Sequence, residues 1–300
     1  MSAVASVERS TSAARRMAGF VALTKPRIIE LLLVTTLPTM VVAAHGMPRL
    51  WLMAATLVGG TLAAGGANAI NMVVDRDIDS VMRRTRNRPL VTGVVTPGQA
   101  LVFAVALEVA AFFELWATVN MISAVLAVSA TLFYVFVYTL WLKRTSRQNI
   151  VIGGAAGAVP VLVGWAAVRG SVGWSAVVLF ALMFLWTPPH FWALAIRYRD
   201  DYESVDVPMM PVVATFKKTA AQIMGYTVLV AIVSLLFGWS AGMGPLYWVS
   251  AAALGAVFCL YSWRLYRQPD EARAMKLFHW SITYVTLLFV AMATDQLIFH

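Results

Sequence analysis

Nine uninterrupted apolar stretches, each about 20 residues long, constrain this chain more than any other feature. They fall at 28–45, 50–71, 99–119, 121–141, 150–168, 172–195, 221–241, 246–263 and 277–297. As helices, such runs cross a hydrocarbon core of roughly 30 Å. A bilayer offers the backbone no water, so every N–H and C=O must be satisfied within the span. The runs are continuous rather than alternating, which selects helices over barrel strands. Apolar residues make up 60% of the 300 positions and charged ones 12%, against about 45–50% and 25% in soluble domains. The expected fold is an all-α polytopic membrane protein with nine transmembrane helices around a central cavity.

Charge sets its orientation. All but two of the 23 lysines and arginines fall in the N-terminal segment and in the loops after helices 2, 4, 6 and 8; only Arg49 and Arg169 lie on the other side. Cytoplasmic loops carry such an excess. The N-terminus is therefore expected inside and the C-terminus, His300, outside, with residues 1–27 a cytoplasmic tail and 28–300 one membrane domain. The net charge of +9 follows from this bias and gives no reason to expect nucleic-acid binding. A basic rim of this kind also attracts anionic lipid or a diphosphate. One cysteine, Cys259, excludes an intramolecular disulfide and a thiolate zinc site.

The long inner loops, 72–98 and 196–220, follow helices four spans apart, suggesting a four-helix unit used twice. Half of the 14 acidic residues sit in these two segments beside arginines. In the first, Asn68, Asn71, Asp75 and Asp79 are spaced to share one helix face, which Arg83 extends, while Asp77 points elsewhere and is expected to pair with an arginine. Adjacent carboxylates on one face repel unless a cation lies between them. Hard oxygen ligands suit Mg²⁺, which takes one or two carboxylates together with substrate phosphates. Arg83, Arg84, Arg86 and Arg88 offer guanidinium forks that match phosphate oxygens.

The second segment follows Trp186-Thr187-Pro188-Pro189-His190, where two prolines are expected to kink the helix near its cytoplasmic end. Beyond them stand Arg197, Asp200, Asp201 and Tyr202, with the two acids as a second metal-bridging cluster. His190 lies at membrane depth, where polar side chains face the bundle interior; its partner is either a porphyrin or a backbone carbonyl. Tyr134 and Tyr138 are four apart before Lys143 and Arg144, and an interfacial aromatic belt would account for Tyr138. Glu108 and Glu114 are acids within an apolar run without an assigned role, and Gly153 and Gly157 read as packing positions.

These motifs resemble those of the intramembrane UbiA-type prenyltransferase superfamily. The resemblance takes in Leu23-Thr24-Lys25-Pro26-Arg27, and the stretches Asn149-Ile150-Val151-Ile152-Gly153-Gly154 and Trp186-Thr187-Pro188-Pro189-His190-Phe191-Trp192 are similar to its haem branch. The resemblance implies that Asn71, Asp75, Asp79, Asp200 and Asp201 are catalytic, with Asn71, Asp75, Asp79 and Asp201 holding Mg²⁺. Asn68, Lys25, Arg27, Arg83, Arg84, Arg88, Lys143, Arg144, Tyr134, Tyr138, His190, Arg197 and Tyr202 are the expected substrate contacts. The implied reaction moves a farnesyl group from farnesyl diphosphate to a vinyl group of haem b, with water added. Haem b is then a substrate rather than a cofactor, and a downstream haem-modifying enzyme is an implied partner. The implied location is a bacterial cytoplasmic membrane, with the site facing the cytoplasm. The ladder by itself fits an aromatic or quinone acceptor as well. A cation-coupled transporter would place such residues nearer the bilayer midplane. The chain departs from the family's pattern at Ser204, where a second acid is common, at Val205-Asp206, where Ala-Gly is usual, and at Thr215, where a glycine is common.

Overall fold

The computed structural model describes the backbone of residues 2–299. The side chains of 2–12, 27–29 and 31–33 lie outside the described residues, and so do Arg27 as a phosphate contact and His300 as the outer terminus. The described chain is helical and contains no strand. In order, the helices are α1 Ser2–Leu23, α2 Pro26–Ala44, α3 Leu50–Val74, α4 Arg76–Val81, α5 Pro97–Thr118, α6 Met121–Thr145 and α7 Asn149–Arg169. They continue with α8 Trp174–Arg197, α9 Arg199–Glu203, α10 Met210–Val213, α11 Phe216–Ser240, α12 Pro245–Arg267 and α13 Glu271–Phe299.

Eight helices among the described residues are long and apolar enough to cross a membrane: α3, α5 to α8 and α11 to α13. The first expected run lies on α2, of which Val34–Ala44 is the described apolar part. The N-terminal segment is itself helical, and Leu23 at its end packs against Ala69, Met72, Leu90 and Ala100. Along α5 the outward positions Val102, Val105, Val109, Phe113 and Trp116 are exposed, an arrangement that water would penalise and lipid favours.

Local chemistry sets the helix ends. Thr96 and Gln99 form a capping box at α5, with Pro97 in the first turn. Asn120 accepts from Ser123 N at the start of α6 and donates to Ala166 O of α7 (2.8 Å), so one side chain both caps a helix and ties it to its neighbour. Close approach depends on small residues: a Cβ on Gly164 would lie 2.9 Å from Thr36 O of α2. The two acids of α5 use the same device. Carboxylate oxygens of Glu108 and Glu114 lie where Cβ atoms on Gly66 and Gly59 of α3 would stand, and Thr131 donates to Glu108.

Three features singled out in the sequence take a definite form. Helix α8 runs through Pro188 and Pro189 without a break, its neighbours holding a segment whose local bonding the prolines weaken. Asp206 takes a left-handed conformation (φ 54°), which explains why a glycine is common there and why Asp, among the residues that tolerate this region, can replace it. Thr215 is the N-cap of α11, its hydroxyl accepting from Lys218 N, so the loss of a glycine supplies a helix cap. A cavity of 740 Å³ opens between α1 and α5 at the edge of the bundle, lined by Phe20, Val21, Thr24 and Phe103.

Candidate diphosphate site

The amide and carboxylate ladder forms where α3 gives way to α4. Asp75 ends the first helix with φ −86° and ψ 6°, yet the i→i+4 hydrogen bonding continues, from Asp75 N to Asn71 O (2.9 Å) and from Asp79 N to Asp75 O (2.8 Å). The change of helix therefore leaves the stripe intact. Asn71, Asp75 and Asp79 are all buried, whereas Asp77 is exposed.

Each rung meets a cation. Lys25 Nζ donates to Asn71 Oδ1 (2.9 Å), Lys143 pairs with Asp75, and Arg88 pairs with Asp79 (2.5 Å). The amide of Asn71 in turn donates to Asp75 Oδ2 (2.7 Å) and to Thr139 Oγ1 (3.2 Å). Asn68 donates to Thr24 O (3.1 Å), which seats the Lys25 backbone beside the ladder. Burial, and then the positive fields of Arg88 and Lys143, bring the Lys25 ammonium down to about 7, with Asp75 and Asp79 pulling the other way. A further anion at this spot would favour its charged form.

Asp77 pairs with an arginine, as expected, and its partner is Arg144, in a two-pronged contact at 2.8 Å. This hydrogen bond lowers the carboxyl to about 2. Arg144 also reaches Val74 O (3.2 Å), so it fastens the end of α3 to α6. Because the Asp77 pair lies in solvent, Asp77→Ala is expected to leave enzymatic turnover within about twofold of wild type; a loss above tenfold in initial-rate assays would show that Asp77 belongs to the working site.

The second cluster divides. Asp201 is buried and faces Arg83 across 3.6 Å, joining the 72–98 and 196–220 loops, while Asp200 is exposed. Arg197 is engaged with Glu271 (2.7 Å), and Arg84 lies 5.1 Å over the Tyr198 ring. Tyr202 is half-buried, and burial raises its phenol above the ordinary value. Among the described residues no three His, Cys, Asp or Glu side chains gather into a metal cage. Among the described residues Asn71 touches Asp75 (2.7 Å), Asp79 follows one turn on, and Asp201 stands across from Arg83.

Tyr134 and Tyr138 stack at 5.4 Å within a π-helical part of α6, Phe133–Leu142. The Tyr138 ring occupies the place a Cβ on Gly153 would need, at 2.3 Å. Gly153 is thus a packing position, and Tyr138 lies against α7 rather than in an interfacial belt; Gly157 meets nothing within 4 Å. His190 is sandwiched between Trp186 (4.3 Å) and Phe278 (4.8 Å), and its Nδ1 is 2.7 Å from Ser281 Oγ. Its partner within the chain is a hydroxyl and not a backbone carbonyl. Thr139 is the contact that sequence reasoning missed.

The donors fit Mg²⁺: they are hard oxygens, and Asp75 Oδ1 is buried with no hydrogen-bond partner. Two carboxylates are too few for an all-protein cage and suit an ion that keeps substrate phosphates as ligands.

The model of the UbiA prenyltransferase family matches residues 32–286. A protoheme IX farnesyltransferase of Frankia alni is 54% identical over 286 residues, covering 94% of this chain and 99% of that one. One from Clavibacter sepedonicus is 51% identical, covering 97% of each. Among solved structures, a digeranylgeranylglyceryl phosphate synthase aligns with a TM-score of 0.77 at 17% identity, over 94% of this chain and 98% of that one. A UbiA homologue from Archaeoglobus fulgidus bound to GPP and Mg²⁺ aligns at 0.64 and 14%, over 91% and 99%. The chain belongs to the UbiA prenyltransferase family.

Proposed function

We propose that this protein transfers a farnesyl group from farnesyl diphosphate to a vinyl group of haem b, adding water to give haem O and releasing diphosphate. The observation that carries the diphosphate half is the pairing of every rung with a cation: Lys25 on Asn71, Lys143 on Asp75, Arg88 on Asp79. The haem half rests on the relatives more than 50% identical over almost the whole chain.

In this reading Asn71, Asp75 and Asp79 hold Mg²⁺, with Asp201 brought up by its loop. Bound there, the ion supplies charge stabilisation to the departing diphosphate. Lys25, Arg88 and Lys143 are already aimed at the same place, so their donors can pass from the rungs to diphosphate oxygens without reorganising the site. Arg83 and Arg84, exposed on the loop after α4, meet the diphosphate from the water side. The allylic cation needs a dry, apolar pocket until the vinyl carbon attacks, which the interior of the bundle provides. Residues 28–300 form the membrane domain, with nine spans, the N-terminus and ladder facing the cytoplasm of a bacterial cell, and residues 1–27 preceding it. The product then passes to a downstream haem-modifying enzyme.

His190 is the porphyrin contact in this scheme. Ser281 Oγ donates to Phe278 O (2.6 Å), so its lone pairs are what His190 Nδ1 meets, and Nδ1 must carry the proton. The Nε2 lone pair is then free in the tautomer that binds iron, with its other nitrogen anchored as metal-binding histidines require. Ser281→Ala is expected to weaken haem b binding about tenfold and His190→Ala by more, read from the Soret band of the purified protein in lipid. An unchanged Soret titration for His190→Ala would remove the histidine from the porphyrin site. The function as a whole is tested by extracting haem from membranes with and without the protein and weighing it for added farnesyl and water. Added prenyl on an aromatic acid or quinol, with none on haem, would redirect the acceptor.

A further inference from the structure

Four residues of α6 stand near the ladder although helical arithmetic would scatter them. Nine residues separate Tyr134 from Lys143, which at 3.6 per turn is two and a half turns, so an α-helix would put the two on opposite faces. Phe133–Leu142 is instead π-helical, and Lys143 N bonds to Tyr138 O, five residues back. With about 4.4 residues per turn, the winding that accompanies i→i+5 bonding, the same nine residues make close to two full turns. Tyr134, Tyr138, Thr139 and Lys143 then share one stripe.

Thr139 holds this register to the site. Fully buried, its hydroxyl donates to Tyr134 O (2.8 Å), again five residues back, and accepts from Asn71 Nδ2 (3.2 Å). The backbone at Tyr134 and the first rung of the ladder are thereby linked through one oxygen. Four residues on, Lys143 reaches the second rung, Asp75.

We propose that Thr139 is a positioning residue for diphosphate binding, pinning the π-helical winding of α6 against Asn71 so that Lys143 arrives at Asp75. The inference rests on the functional reading above and goes beyond it, assigning a task to a residue outside the ladder and to a backbone conformation. Neither Mg²⁺ nor diphosphate touches Thr139 in this scheme; its effect on affinity passes through Lys143, with Asn71 as the anchor.

The test is equilibrium binding of tritiated farnesyl diphosphate with Mg²⁺ to the full chain in lipid nanodiscs, as a double-mutant cycle. Thr139→Val keeps the shape and removes the hydroxyl, and should raise the Kd about tenfold, the size expected for one hydrogen bond on a charged network. Thr139→Ser keeps the hydroxyl and should bind within about twofold of wild type. In a Lys143→Met background, Thr139→Val should add little, because the group it places is gone. Wild-type affinity in Thr139→Val, or the same tenfold loss on top of Lys143→Met, would overturn the proposal. Should Thr139→Val not accumulate in membranes, Thr139→Ala completes the same cycle. A wild-type chain that binds no farnesyl diphosphate would overturn the reading of the site and this proposal with it, a result distinct from a cycle that shows no coupling.

Discussion

Asp75→Ala is expected to lower farnesyl transfer by about 10²–10³-fold while the protein still inserts and folds. The side chain is fully buried, and Oδ2 is shared between the Lys143 ammonium and the Asn71 amide. Removing it breaks a buried pair and leaves a cation without its partner, typically about 3–5 kcal/mol, and each 1.36 kcal/mol taken from transition-state stabilisation is about tenfold in rate. Part of that cost falls on stability, so the transfer rate must be normalised to folded protein. Asp75→Asn keeps the size and one acceptor oxygen but not the charge, and should fail almost as badly if the carboxylate binds a cation and merely halfway if it only orders Asn71. The measurement is haem O formed by purified protein in lipid. Retained synthesis by Asp75→Ala would sink the assignment of the ladder as the diphosphate site.

The ladder was legible because it obeys α-helical spacing across its whole length, even where α3 yields to α4 at Asp75. The apolar runs were legible for the same reason, since a bilayer leaves a continuous apolar segment little choice but a helix. What escaped was set by departures from that spacing. Thr139 reads as one apolar-flanked threonine among many, and only the π-helical winding of Phe133–Leu142 turns it toward Asn71. Sequence adjacency misled at Asp200 and Asp201, which look equivalent until α9 turns one inward and leaves the other exposed. Pro188 and Pro189 were expected to disturb α8 on local grounds, but packing against neighbouring helices holds it continuous. Glu108 and Glu114 had no assigned place because the notches that receive them are glycines on another helix, Gly66 and Gly59.

Asp295→Ala is expected to cost about 3–5 kcal/mol of stability, with little effect on transfer per folded molecule. The carboxylate is fully buried on α13 and accepts from two backbone amides at the start of α12, Gly244 N (2.6 Å) and Tyr247 N (3.0 Å). It thus performs from another helix the task an N-cap side chain performs locally, and its negative charge meets the positive end of the α12 dipole. The close seat requires Gly244, where a Cβ would stand 3.0 Å from Asp295 Oδ1. Without the carboxylate, two buried N–H groups lose their acceptor at about 1–3 kcal/mol each. Asp295→Asn keeps one acceptor and should recover about half of the loss. Reversible unfolding in bicelles gives the comparison directly. Wild-type stability in Asp295→Ala would mean that the α12 terminus finds another partner, whereas wild-type stability with lost transfer would move Asp295 from the scaffold into the reaction.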